Sequence, residues 1–132
     1  MGSRFTIRPP ADYLLRRDAC SYGYFLLAPN VWNPLHGTMT RTLDPGGGPA
    51  TLTIAQDVEP GATLRIAADR AMTPRERTEA KRQISRMLRL DDESVQRFHR
   101  LDRRWRRSGR GRLFRSPTLF EDVLKTVTSC NV

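Results

Sequence analysis

The chain has 132 residues, 38% hydrophobic and 28% charged, with a mean hydropathy of −0.57, which fits one ordinary domain or a small domain with part of a second. No run approaches the roughly 18–20 apolar residues that cross a membrane, and Met1 to Phe5 lacks the layout of a secretory signal, so the expected home is the cytoplasm or nucleoid, with no membrane partner. The 23 basic and 14 acidic side chains leave a net charge of +9, which points to a polyanionic partner.

In chain order, the first half reads as β-rich. Phe5-Thr6-Ile7 is a short strand candidate closed by Pro9-Pro10, and Asp12 to Cys20 can form a short helix with Tyr13, Leu14 and Leu15 as its apolar positions. Tyr24 to Leu27 is a compact apolar run stopped by Ala28-Pro29-Asn30. Thr38 to Leu43 is rich in β-branched residues and runs into Asp44-Pro45-Gly46-Gly47-Gly48-Pro49, a turn signal. Thr51 to Ala55 and Thr63 to Ile66 alternate with period two, as half-buried strands do, with Pro60-Gly61 turning between them.

The second half changes period. Thr73-Pro74-Arg75-Glu76 is a capping box with proline at the first helical position, and Ile84, Met87 and Leu88 share one face of the helix it opens. Asp91 and Asp92 are candidate N-caps of a second helix, with Val95, Phe98, Leu101, Asp102 and Trp105 on its inner side, broken by Ser108-Gly109-Arg110-Gly111. Ser116-Pro117 is expected to open a third helix on Leu119, Phe120, Val123, Leu124 and Val127. That helix is the most apolar segment and meets no stop signal, so the expectation is a helical domain that continues past this chain. The fold class expected is α+β: an antiparallel sheet domain over residues 1–70, then an incomplete helical domain over 71–132.

Charge follows the same division. Residues 1–66 carry 6 basic and 5 acidic groups, a net of +1, whereas residues 67–132 carry 17 and 9, a net of +8. All but Lys81 and Lys125 of the cations are arginine, whose planar fork suits phosphate. Seven arginines and no acid fall between Arg103 and Arg115. Arg106, Arg107, Arg110, Arg112 and Arg115 are assigned on charge to phosphate contacts, and Gly109 and Gly111 allow close approach of the backbone. Asp102, among arginines, is read as a structural ion-pair partner, and Trp105 as core.

Chemistry is harder to find. Cys20 and Cys130 match no CxxC spacing, and His36 and His99 are too scattered for zinc, so neither a metal nor a cofactor is assigned. Phosphate-binding glycine loops, a metalloprotease pair and a nucleophile elbow are all missing, and the isolated acids read as caps or surface charges.

The run from Leu113 to Val132, with Pro117-Thr118-Leu119-Phe120-Glu121 inside it and a Ser129-Cys130-Asn131 end, resembles the start of the glycosylase domain in the helix-hairpin-helix DNA glycosylases. It is most similar to their 8-oxoguanine and 3-methyladenine branches. Asp12 to Leu15 followed by Tyr24 to Asn30 is similar to the sheet domain that precedes that helix. The resemblance implies a base-excision-repair enzyme, a monomer when complete, that flips a damaged purine out of duplex DNA and cleaves its N-glycosidic bond. It also implies a catalytic aspartate, and in some members a lysine nucleophile, on a hairpin motif that this sequence lacks. No catalytic residue is therefore assigned in this chain, and weak DNA binding without catalysis is expected of it. Asn131 matches the polar residue that contacts the orphaned base, a role its amide donor and acceptor would suit. The alternative reading is a non-enzymatic arginine-rich DNA- or RNA-binding module.

Overall fold

The computed structural model describes residues 1–21, 23–91 and 93–130. Five strands, β1 (Arg4–Ile7), β2 (Asn30–Asn33), β3 (Thr38–Leu43), β4 (Ala50–Ala55) and β5 (Leu64–Ala68), form one antiparallel sheet. Its order is β1-β5-β4-β3-β2, so β2 to β5 run as a meander and β1 closes the far edge. Leu52 and Ile54 of β4 alternate with half-exposed threonines, and Leu64, Ile66 and Ala68 of β5 alternate with exposed residues, as a one-sided sheet requires. On the opposite face the register places Thr40 against Thr53 and Thr42 against Thr51, and each hydroxyl pair meets at 3.1 and 3.0 Å respectively.

The buried face of the sheet is covered first by a short helix, α1 (Leu15–Asp18), and then by α2 (Pro74–Leu88). Tyr13, Leu15 and Ala19 bring the first of these into the core, and Ala80, Ile84, Met87 and Leu88 supply the second at the spacing of one helical face. The capping box is formed in full: Thr73 Oγ1 accepts from the Glu76 amide at 3.2 Å, and Glu76 Oε2 accepts from the Thr73 amide at 2.7 Å. Asp44 Oδ1 accepts from Gly46 N–H at 2.7 Å, which tightens the turn between β3 and β4. Residues on both sides of position 70 share one core, so α2 packs as part of the sheet layer.

The compact apolar run lies in a 3-10 turn, Gly23–Leu26, with Leu26 69% and Leu27 50% exposed, and the strand β2, for which no candidate was given, follows it. Two expectations change. The expected second helix is two: α3 (Ser94–Leu101) and α4 (Arg103–Ser108). Asp102 adopts an extended backbone between them and its carboxylate caps the Arg104 amide at 2.9 Å, so a local hydrogen bond outcompetes helix continuation. Asp92, a candidate cap, lies outside the described residues, and Glu93 stands at the N-cap of α3. The last helix, α5 (Leu119–Ser129), starts later than its Ser-Pro pair implied. Its cap is Thr118, while Ser116 and Pro117 are buried in the connection.

Candidate nucleic-acid interface

A buried ionic cluster fixes the arginine-rich segment to the rest of the molecule. The Arg112 side chain is 1% exposed and both terminal nitrogens lie 3.1 Å from the Asp12 carboxylate. Asp18 stands 3.8 Å away, and the guanidinium lies 5.5 Å from the Tyr13 ring centre. Asp18 also takes two hydrogen bonds from Arg17 and one from the Leu14 amide, each at 2.9 Å. Burial works against ionisation of Asp12, but the hydrogen bonds and charge of Arg112 outweigh it and hold the carboxyl below its ordinary value.

Alternate carbonyls of the segment are fastened from beneath. Ser108 O accepts from Arg17 Nη1 at 3.1 Å, Arg110 O from His99 Nε2 at 2.6 Å, and Arg112 O from the Ser21 hydroxyl at 2.7 Å. Because a carbonyl can only accept, Nε2 of His99 carries the proton there. Gly109 sits so close to Arg17 that a Cβ would lie 2.2 Å from its Nη1, and its φ of +67° favours glycine in any case. The segment is therefore a held loop whose free side chains project outward.

Arg106, Arg107 and Arg110 are exposed, and none makes an ion pair or side-chain hydrogen bond with the described residues. Arg106 borders a cleft of about 520 Å³ together with Asp12, Gln96, His99 and Arg100. The assignment of Arg112 is corrected: its charge is spent inside the protein on Asp12 and Asp18, and a phosphate has no access to it. Arg115 is half-buried and its Nε donates to the Arg86 carbonyl at 3.0 Å, so part of its fork is committed to the fold. Asn131 lies outside the described residues.

Other residues join this surface. Arg97, Arg100, Arg103 and Arg104 are exposed on α3 and α4, although Arg104 pairs with Asp102 at 2.7 Å. Arg97 and Arg100 lie just upstream of the Arg103–Arg115 run, whereas Arg103 and Arg104 fall inside it. Trp105 is corrected from core to surface: it is 41% exposed, its ring centre 5.8 Å from that of Phe98. Leu101, expected on the same inner side, is 86% exposed at the C-terminal end of α3.

The helix α5 docks by its polar edge. Glu121 pairs with the buried Arg41 of β3 and with Lys125 at 2.8 Å, and Asp122 pairs with Arg86 at 2.7 Å and accepts from the Ser116 amide at 3.1 Å. Arg41 also reaches Asn30 Oδ1 at 2.7 Å. The apolar edge faces outward, with Leu119 68%, Phe120 75%, Val123 52% and Leu124 51% exposed.

A larger cleft of about 1020 Å³, beside the β3–β4 turn, is lined by Asp44, Glu76 and Glu79 as well as Arg70 and Arg75. Arg70 is committed to Glu76 at 2.7 Å, and the three carboxylates make this a poor seat for phosphate. Among the described residues no three His, Cys, Asp or Glu side chains gather as metal ligands, and no helix is long and apolar enough to cross a membrane. The chain matches no family model, no curated protein and no solved structure.

Proposed function

We propose that this chain supplies a DNA-binding surface to a DNA N-glycosylase of base-excision repair, one that removes a damaged purine from duplex DNA. The observation that carries the reading is the set of exposed arginines Arg106, Arg107 and Arg110, without an ion-pair partner among the described residues and presented on a segment whose backbone is tied to the core. A held backbone spares the chain the cost of ordering the segment when its arginines meet phosphates, and such contacts are largely independent of sequence. The enzymatic part of the proposal draws on the resemblance from Leu113 onward. An antiparallel sheet that precedes the helices is in keeping with what that resemblance implies.

The test is genetic and biochemical together. Deleting the gene should sensitise its host to methylating or oxidising agents, and a copy with Arg106, Arg107 and Arg110 changed to alanine should fail to restore resistance. Unchanged sensitivity, with duplex binding by the purified protein intact, would remove the glycosylase and leave the non-enzymatic binding module.

A further inference from the structure

Trp105 and Phe98 are large aromatic side chains set on a strongly cationic surface, and neither is sealed in the core: they are 41% and 38% exposed. Their ring centres lie 5.8 Å apart with the planes inclined by 36°, so they form an open, tilted stack. The pair is held in place. Phe98 is backed by Gly111, where an added Cβ would stand 2.9 Å from Cδ1 of the ring, and where φ is +119°. The neighbouring His99 is buried and bonded to the Arg110 carbonyl. Trp105 itself lies in the middle of α4, with Arg103, Arg104, Arg106 and Arg107 within two residues on either side.

Phosphate binding uses only the arginines and leaves this aromatic surface without a purpose. A folded chain exposes such a pair at some cost in unburied apolar area. Bases within a duplex offer their faces to each other and not to a protein, whereas an unpaired base has a free face to stack. Aromatic platforms flanked by cations are the general solution for strands whose bases are open.

We propose that Trp105 and Phe98 form a stacking platform for unpaired nucleobases of DNA, with the arginines of α4 holding the flanking phosphates. This rests on the nucleic-acid part of the function proposed above and adds the state of the bases that the surface prefers.

The experiment follows Trp105 fluorescence in a Trp32→Phe background, which removes the second tryptophan. The protein is titrated with a thymidine dodecamer, with an abasic dodecamer of equal charge, and with a duplex of the same length. The platform requires that the thymidine strand quench the emission while the abasic strand and the duplex do not. Trp105→Leu should then weaken binding to the thymidine strand about tenfold without altering the abasic strand, and Trp105→Phe should keep most of the affinity. The quenching measurement needs no variant at Trp105, so it decides even if Trp105→Leu fails to fold. Equal affinity for all three ligands, or equal quenching by the abasic strand or duplex, would overturn the platform and leave phosphate binding standing. Binding to none of the three would overturn the nucleic-acid reading itself.

Discussion

Arg110 and Arg112 are two residues apart and identical in type, yet they belong to different parts of the molecule. The first is exposed, whereas the second is closed into a cluster with Asp12 and Asp18. Arg112 is buried against Asp12 and Asp18; with Asp12 40% exposed and Asp18 still held by Arg17, losing its charge-assisted hydrogen bonds costs about 1.5–3 kcal/mol. Arg112→Met should therefore lower stability in chemical denaturation by that order, and Arg110→Met should change it by less than about 0.5 kcal/mol. Similar small effects for both would show that Arg112 is not an anchor. The carboxylates give a pH signature with a definite sign. Asp12, Glu121 and Asp122 are each held below their ordinary values, with burial opposing and arginine partners prevailing. Glu76 is lowered to about 2, first by the Thr73 amide and then by Arg70. Groups lowered on folding add stability that is complete above their unfolded values and is lost as pH falls through the folded ones. The denaturation midpoint should thus hold above pH of about 5 and decline between about 4.5 and 2. A midpoint that stays flat across that window would mean these pairs contribute nothing.

At the level of elements, legibility followed how local the cause was. The capping box at Thr73 and Glu76 needs only four consecutive residues, and it stood in the sequence as it stands in the structure. Thr73→Ala should cost about 1 kcal/mol, and Ile84→Ala, on the buried face of the same helix, about 2–5 kcal/mol. Both are read from denaturation curves, and a loss at Thr73 as large as at Ile84 would contradict the division between cap and core. The alternation of β4 and β5 was equally plain, since period two carries its own register of inside and outside. The break between α3 and α4 was not, because Asp102 suits a helical face by spacing and a cap by chemistry, and only the competing Arg104 amide settles which wins. Arg112 was hidden for the opposite reason. Seven neighbouring arginines look alike in composition, and the partner that distinguishes this one lies a hundred positions away at Asp12. The outward aromatic pair was hidden with it, since Trp105 fell on the inner face only so long as the helix was unbroken.

On the scale of the whole molecule, two surfaces stand out beside the single core: the arginine face of α3, α4 and the held loop, and the apolar edge of α5. If that edge is as open as Phe120 at 75% exposure indicates, Phe120→Ser should change stability by less than about 0.5 kcal/mol while reducing binding of a hydrophobic dye. A large loss of stability would mean that the edge is packed. The arginine face is the surface proposed to grip DNA, and its test is the salt dependence of duplex DNA affinity. It should be run on the wild-type chain and on a variant with Arg106, Arg107 and Arg110 changed to alanine. Three lost phosphate contacts should flatten the slope of log K against log salt by about 2.7, with weaker binding at low salt and the same denaturation midpoint. An unchanged slope in a folded variant would contradict the claim that these arginines grip the DNA backbone.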